Sequence, residues 1–348
     1  MFDVISIGGA TLDFFVESSK DSIINIKSLE GKKEFLCFGY GDKIEIENSS
    51  FDIGGGAVNT AVNFAKLGLS TALLVKTGAG HISNYLLSKV RSRNVDTSFV
   101  VKSTSQRTGF SIILTSFEGD RTVLTQRGAN STLAKDEIDW EALKNTKYIY
   151  CSSLSNSSEE VLSDIADFCH LNSIKFACNP GGTTINKGFE SQKNIFSKMN
   201  ILILNKSEAS KLTGIVEKSE SKYDDISDVK INPYIQQMLK DLKACVKDIV
   251  VITDGKVGVY VFDGQKIYFA EPYPAKVVST LGAGDAFAST FIAMLAKEGS
   301  IENAIKFALM NSASVVGEYG AQTGLKTYEE LLEINKNAKV DIHIVEKA

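Results

Sequence analysis

Ser279-Thr280-Leu281-Gly282-Ala283-Gly284-Asp285-Ala286-Phe287 is the stretch on which the reading of this chain turns. A turn of small residues leads straight into a helix whose apolar face includes Phe287, Phe291 and Leu295. The first N–H groups of a helix lack intrahelical partners, and the helix dipole is positive there. Glycines let an anion approach the backbone closely, so the segment reads as a phosphate site at a helix N-terminus. Asp285, in the first helical turn, is placed to take a proton from a hydroxyl attacking that phosphate. The alternative is a tight loop in which Asp285 only stabilises the helix start.

Working outward, the segments on either side alternate between strand and helix. Apolar runs at 2–9, 71–76, 148–153, 175–179, 201–205 and 248–255 read as buried strands. Helical periodicity covers 57–67, 82–93, 157–171, 206–213, 234–245, 284–297 and 301–317. This βαβα order predicts a parallel sheet covered by helices on both faces. The alternating segments 43–53, 109–117 and 121–126 do not fit it and predict a small separate antiparallel sheet. Glu118-Gly119-Asp120 and Asp263-Gly264 read as hairpin turns. Residues 18–50 read as polar and irregular. The charged stretch 216–233 reads as a surface insertion.

Composition narrows the function. The chain has 348 residues, 43% apolar and 23% charged, enough for a sizeable core and against wholesale disorder. At roughly 150 residues per domain, two domains or one large domain with an appendage fit. A formal charge of −4 argues against a dedicated nucleic-acid binder. Five single cysteines and three scattered histidines offer little for a zinc site, a disulfide framework or a Ser-His-Asp triad. No apolar run approaches the ~18 residues of a membrane span, and the N-terminus lacks a signal-peptide pattern. A cytoplasmic protein is expected.

Further segments carry chemistry. Gly54-Gly55-Gly56 runs into helix 57–67, with Asn59 offering both a donor and an acceptor to a polyhydroxylated ligand. It is neither a Walker A loop nor a strand-linked Gly-x-Gly-x-x-Gly fingerprint. Asn205-Lys206-Ser207-Glu208 lies at a strand end, where open α/β sheets bind ligands. It fits water-coordinated Mg²⁺ near phosphates, and fits an Asn-x-x-Glu helix cap better. Thr253-Asp254-Gly255-Lys256-Val257-Gly258 is a nucleotide cradle or a hairpin turn, and Asp13 a grip on hydroxyls or a surface carboxylate.

In this order the segments resemble the ribokinase-like (PfkB) carbohydrate kinases over roughly 2–325. Residues 54–68 and 280–287 look like the family's two signatures, the second highly specific. Gly119-Asp120-Arg121, Gly128-Ala129-Asn130, Asn179-Pro180 and Asn205-x-x-Glu208 resemble its intervening motifs. The resemblance implies a single domain over 1–348: a Rossmann-like three-layer α/β/α core with a mostly parallel sheet and a β-sheet lid. The lid strands are expected within about 12–53 and 99–127. It implies ATP-dependent phosphorylation of a sugar hydroxyl, with a nucleoside kinase as the alternative and a non-catalytic sugar- or nucleotide-binding regulator as a remote one. A nucleoside kinase would be marked by stacking aromatics such as Phe35, Phe38, Tyr40 and Phe110. By the same resemblance Asp285 is the base, and Gly282, Ala283 and Gly284 form the anion hole. Asp13, Gly55, Gly56 and Asn59 hold the sugar. Asn205 and Glu208 organise phosphates and Mg²⁺, Thr253, Gly255 and Gly258 line the ATP site, and Asn311 lies near adenine. A homodimer through the lid is implied too. Ser279 stands where potassium-activated members carry an aspartate, so weak or absent potassium activation is expected.

Overall fold

The computed structural model describes residues 1–17, 22–28, 31–115, 121–217, 232–297 and 299–346. Its central element is a large sheet. The strands Ile249–Thr253, Ile201–Asn205, Lys175–Cys178, Thr146–Cys151, Phe2–Gly8, Thr71–Gly78 and Val95–Asp96 run side by side and parallel. Val101–Ser103 also pairs with Thr71–Gly78. Beyond Ile249–Thr253 come three antiparallel strands, Val259–Phe262, Lys266–Ala270 and His343–Glu346. The mostly parallel sheet expected from the alternation is therefore present, and residues 257–270 form the expected hairpin.

The sequence dictates two buried faces. Side chains alternate across a strand, so a continuous apolar run feeds two cores. Leu202 and Leu204 join one cluster with helices Val161–Leu171, Lys206–Thr213 and Pro233–Lys243. Ile201 and Ile203 join the other, with Phe64 of helix Gly56–Lys66, Phe287 and Phe291 of helix Ala283–Lys297, and Phe307 of helix Ile301–Val316. Three layers result.

A second sheet stands apart, in the order Arg121–Gln126, Gly109–Thr115, Thr11–Glu17, Asn48–Gly54. Its two outer pairs are antiparallel, as expected, and its central pair is parallel. The strand expected over 43–53 begins at Asn48, which pairs with Glu17. Residues 18–50 are less irregular than expected, since Ser22–Ser28 and Gly31–Cys37 pair as a hairpin. The 118–120 turn and most of the 216–233 insertion lie outside the described residues. At the insertion's borders, Glu217 is bonded to Asn232 and Lys206.

Because the parallel strands share one direction, Gly8, Ser152, Asn179, Asn205 and Thr253 gather along one edge of the sheet. The four-stranded sheet joins that edge directly, since Thr11 follows Gly8 after two residues.

Candidate active site

The cleft lies along that edge. Gly55 has φ +91° and packs against the chain leaving the first strand; a Cβ there would fall 2.5 Å from the Gly9 carbonyl oxygen. Only glycine serves at such a position. A Cβ on Gly56 would meet Ser152 at 2.9 Å and lie 3.6 Å from Asp285 Oδ1. The glycine run thus brings the start of helix Gly56–Lys66 against the start of helix Ala283–Lys297.

Asn59 completes the contact. Its Nδ2 donates to Asp285 Oδ2 at 2.8 Å. Its Oδ1 accepts from Gln322 Nε2 at 2.7 Å, and the same Nε2 donates to the Ile53 carbonyl at 2.8 Å. The carboxylate fixes the polarity of the whole chain, because it can only accept. Burial pushes the Asp285 carboxyl up to about 6, and the Asn59 bond opposes that rise.

Asp13 is buried in the neighbouring sheet. The hydroxyls of Thr11 and Ser111 donate to it. Its Oδ1 has no hydrogen-bond partner among the described residues. Burial raises its pKa, and the nearby charge of Asp52, its register partner, adds to the rise. Gly54 makes room for it, since a Cβ there would fall 1.9 Å from Asp13 Oδ2.

On the other side of Asp285, Gly282 has φ +78° and packs on Ala321, 2.5 Å from where its Cβ would be. A Cβ on Gly284 would meet nothing within 4 Å, so this face of the helix start opens to the cleft. The Ala283 N–H makes a long 3.4 Å bond to the Thr280 carbonyl. A cavity of about 540 Å³ begins here, lined by Thr280, Ala283 and Gly284 at one end. Thr253, Gly255, Gly258 and an apolar wall including Pro272, Tyr273 and Leu309 line the rest. Glycine, hydroxyl and helix N-terminus at one end with an apolar slot at the other suit a nucleotide's phosphates and base.

Several expected residues are placed differently. Asn205 and Glu208 form a reciprocal cap: Asn205 N–H donates to Glu208 Oε2 at 2.9 Å, and Glu208 N–H to Asn205 Oδ1 at 2.8 Å. Neither lines the cavity. Asn179 Nδ2 lies 3.5 Å from Glu208 Oε2. Asn311 does not reach the cavity. It is fully buried, donating to Asn63 Oδ1 and Thr290 Oγ1 and accepting from the Lys326 N–H. Its neighbours Ser312 and Ala313 line the cavity instead. Asn130 spends both ends of its amide on the backbone of Ala10. Phe38 and Tyr40 are exposed, Phe110 is half-buried, and the side chain of Phe35 lies outside those described.

Gln322 went unread in the sequence, as did Asn63, Ser289 and Thr290, which cluster with the buried Asn311. Asn63 was within reach, one turn after Asn59 on the same helix face. Gln322 had no local signal.

Among the described residues, no helix is long and apolar enough to cross a membrane, and no three His, Cys, Asp or Glu side chains cluster as a metal site. The chain is 24% identical to a ribokinase of Staphylococcus aureus over 298 residues, covering 84% of this chain and 92% of that one. Its fold matches that of an Arabidopsis thaliana ribokinase solved with ribose and ATP: TM-score 0.77 at 19% identity, covering 96% and 99% of the two chains. A Methanocaldococcus jannaschii nucleoside kinase matches with TM-score 0.75 at 20% identity, covering 97% and 99%. Residues 22–328 match the sequence profile of the pfkB family carbohydrate kinases. With that match spanning most of its length, and with the cleft in the fold those kinases share, this chain belongs to the pfkB carbohydrate kinase family.

Proposed function

We propose that this protein transfers the γ-phosphoryl group of ATP to a hydroxyl of a small sugar, with Asp285 as the base. The observation that carries the reading is Asp285 itself, bonded to Asn59 through one oxygen at a helix N-terminus that opens onto the 540 Å³ cavity. Asp13 holds the sugar, its unpaired Oδ1 accepting from a sugar hydroxyl. Gly55 and Gly56 form the wall of the sugar site. Asn59 is turned to Asp285 and Gln322, so it holds the base in place beside the sugar.

The reacting hydroxyl passes its proton to Asp285 Oδ1 as its oxygen attacks phosphorus in line. The bond to the ADP oxygen breaks, and ADP leaves with the electron pair. Backbone N–H groups of Gly282, Ala283 and Gly284 meet the charge on the transferred group, where fixed donors cost no reorganisation. Thr253, Gly255 and Gly258 line the ATP cavity. Glu208, whose Oε2 is spent on the helix cap, would hold Mg²⁺ through water with its other oxygen, with Asn205 alongside. Mg²⁺ held there would neutralise phosphate charge. The four-stranded sheet serves as the lid that keeps water from the phosphoryl group.

The acceptor is tested by measuring ADP release from ATP over a panel of sugars and nucleosides. A pentose, hexose or sugar acid that accelerates release, with nucleosides inert, is the expected result. Acceleration by nucleosides alone would assign the protein to the other acceptor class.

A further inference from the structure

Gln322 stands behind Asn59 in a loop that is held from several sides. After helix Ile301–Val316 the chain turns at Gly320, where φ is +91°. Ala321 packs against Gly282, 2.5 Å from where that glycine's Cβ would be. Gly324 presses on the end of the helix, since a Cβ there would fall 2.2 Å from the Ser314 carbonyl oxygen. Leu325 is buried, and its carbonyl accepts from Lys66 Nζ. Between these anchors Gln322 is only 6% exposed.

The Gln322 amide makes two bonds through one atom. Nε2 donates to the Ile53 carbonyl at 2.8 Å and to Asn59 Oδ1 at 2.7 Å. A carbonyl can only accept, so this end of the chain has one polarity. Turning the Gln322 amide over would set Oε1 against two acceptors. Asn59 Oδ1 therefore faces Gln322, which leaves Nδ2 facing Asp285 Oδ2. Ile53 belongs to strand Asn48–Gly54 and pairs with Leu12, the residue before Asp13. The four-stranded sheet thus sets the polarity of the amide that touches Asp285.

The carboxylate alone would set that polarity only while ionised. Once protonated, Asp285 is a donor as well, and an unrestrained Asn59 could turn its Oδ1 toward it. That turn would favour the protonated form. Gln322 blocks it, because the turned Asn59 would put Nδ2 against Nε2, donor on donor. A donor fixed in this way favours the ionised carboxylate. The Asn59 bond indeed opposes the effect of burial at Asp285.

We propose that Gln322 is a positioning residue: anchored on Ile53, it holds Asn59 as a hydrogen-bond donor to Asp285 in both protonation states. The consequence for turnover rests on the base assigned to Asp285 above, whereas the orientation of Asn59 does not. Having taken the proton of the sugar hydroxyl, Asp285 gains no acceptor from Asn59 and is kept ready to release it. Around these side chains stand Tyr150, whose pKa burial pushes well up, and Asp52, Lys66 and Arg93 across an adjoining cavity, with Asp13 near Asp52. Among the described residues none of them bonds to Asn59 or to the Gln322 amide.

The test follows the carboxyl ¹³C resonance of Asp285 across pH, identified by its absence in Asp285→Asn. Gln322→Met keeps the length and removes the donor. The Asp285 midpoint is expected to move up by about one unit, the scale of one hydrogen bond to a charged group. From a wild-type midpoint of about 6, kcat/KM then falls about fivefold at pH 6 and less than about twofold at pH 8. In an Asn59→Leu background Gln322 has no amide to orient, and Gln322→Met should leave the midpoint unmoved. Should Gln322→Met fail to fold by its melting curve, Gln322→Glu takes its place, an acceptor where the donor stood. Its upward shift must be larger with Asn59 present than in the Asn59→Leu background. A midpoint equal to wild type in the Gln322 variant, or a shift of the same size in both backgrounds, overturns the assignment. So does a loss of kcat/KM that is equal at every pH. The resonance needs no turnover, so it judges Gln322 independently, while activity retained by Asp285→Asn would sink the base alone.

Discussion

Asp13 is buried with one carboxylate oxygen unpaired among the described residues, and under the proposed function a sugar hydroxyl is its partner. Asp13→Asn keeps the shape and removes the charged acceptor. Hydrogen bonds to charged groups contribute about 1.5–3 kcal/mol, so KM for the sugar is expected to rise about 10–100-fold. KM for ATP should hardly move, and steady-state kinetics in both substrates checks the split. At this scale the sequence was legible where chemistry and local structure coincide. Gly55 and Asp285 stand in short runs whose glycines announce a close approach. Gln322 was illegible, because its partner Asn59 is 263 residues away. Asn311 was expected at adenine, yet it lies on the inward stripe Ala304, Ala308, Asn311 and Val315 of its helix, all fully buried. Helical periodicity outweighed the family analogy there.

Two glycines at the start of helix Ala283–Lys297 separate a functional element from a structural one. Gly284→Val points a branched side chain into open space, where under the proposed function the phosphoryl group reaches the backbone. Losing one such donor costs roughly 3–4 kcal/mol in other enzymes, so activity should fall at least 100-fold with the melting temperature unchanged. Gly282, at φ +78° and against Ala321, tolerates no side chain, and Gly282→Ala should lower the melting temperature instead. The preceding turn carries Ser279, whose Oγ lies 3.3 Å from the Leu281 N–H and accepts from it. A hydroxyl offers a cation only a dipole, so titrating potassium at fixed ionic strength should raise kcat/KM less than tenfold. The strands and helices of the core were legible because parallel strands read as unbroken apolar runs. The parallel pairing of Thr11–Glu17 with Gly109–Thr115 was not, since nothing local records which strand meets another about 100 residues on.

The whole molecule presents its second sheet outward. Phe51, Val123 and Leu124 are exposed on it, and Arg121–Gln126 is an edge strand. Among the described residues this apolar edge has no strand beyond it, and the family resemblance implies a dimer through this sheet. Sedimentation is expected to give a dimer for the wild type and a monomer for Leu124→Lys. The overall architecture followed from the order of segments, and the second sheet's separateness from its alternating patterns. At the centre of the account stands Asp285 as the base, and its raised pKa makes the claim measurable. Its carboxyl titrates near 6 against the ordinary 3.8, so the folded state binds the proton more tightly. Stability therefore falls as pH rises between those values and is level above them. Asp285→Asn removes that cost and should melt no lower than wild type at pH 8. The decisive measurement is sugar-dependent ADP release by wild type and Asp285→Asn across pH 5 to 8.5. Wild-type kcat/KM should drop tenfold per unit below pH about 6, and the variant's kcat should be about 10²–10⁴ lower above that pH, the gap narrowing below it. A variant within threefold of wild type, or a wild-type profile level down to pH 5, would contradict the assignment.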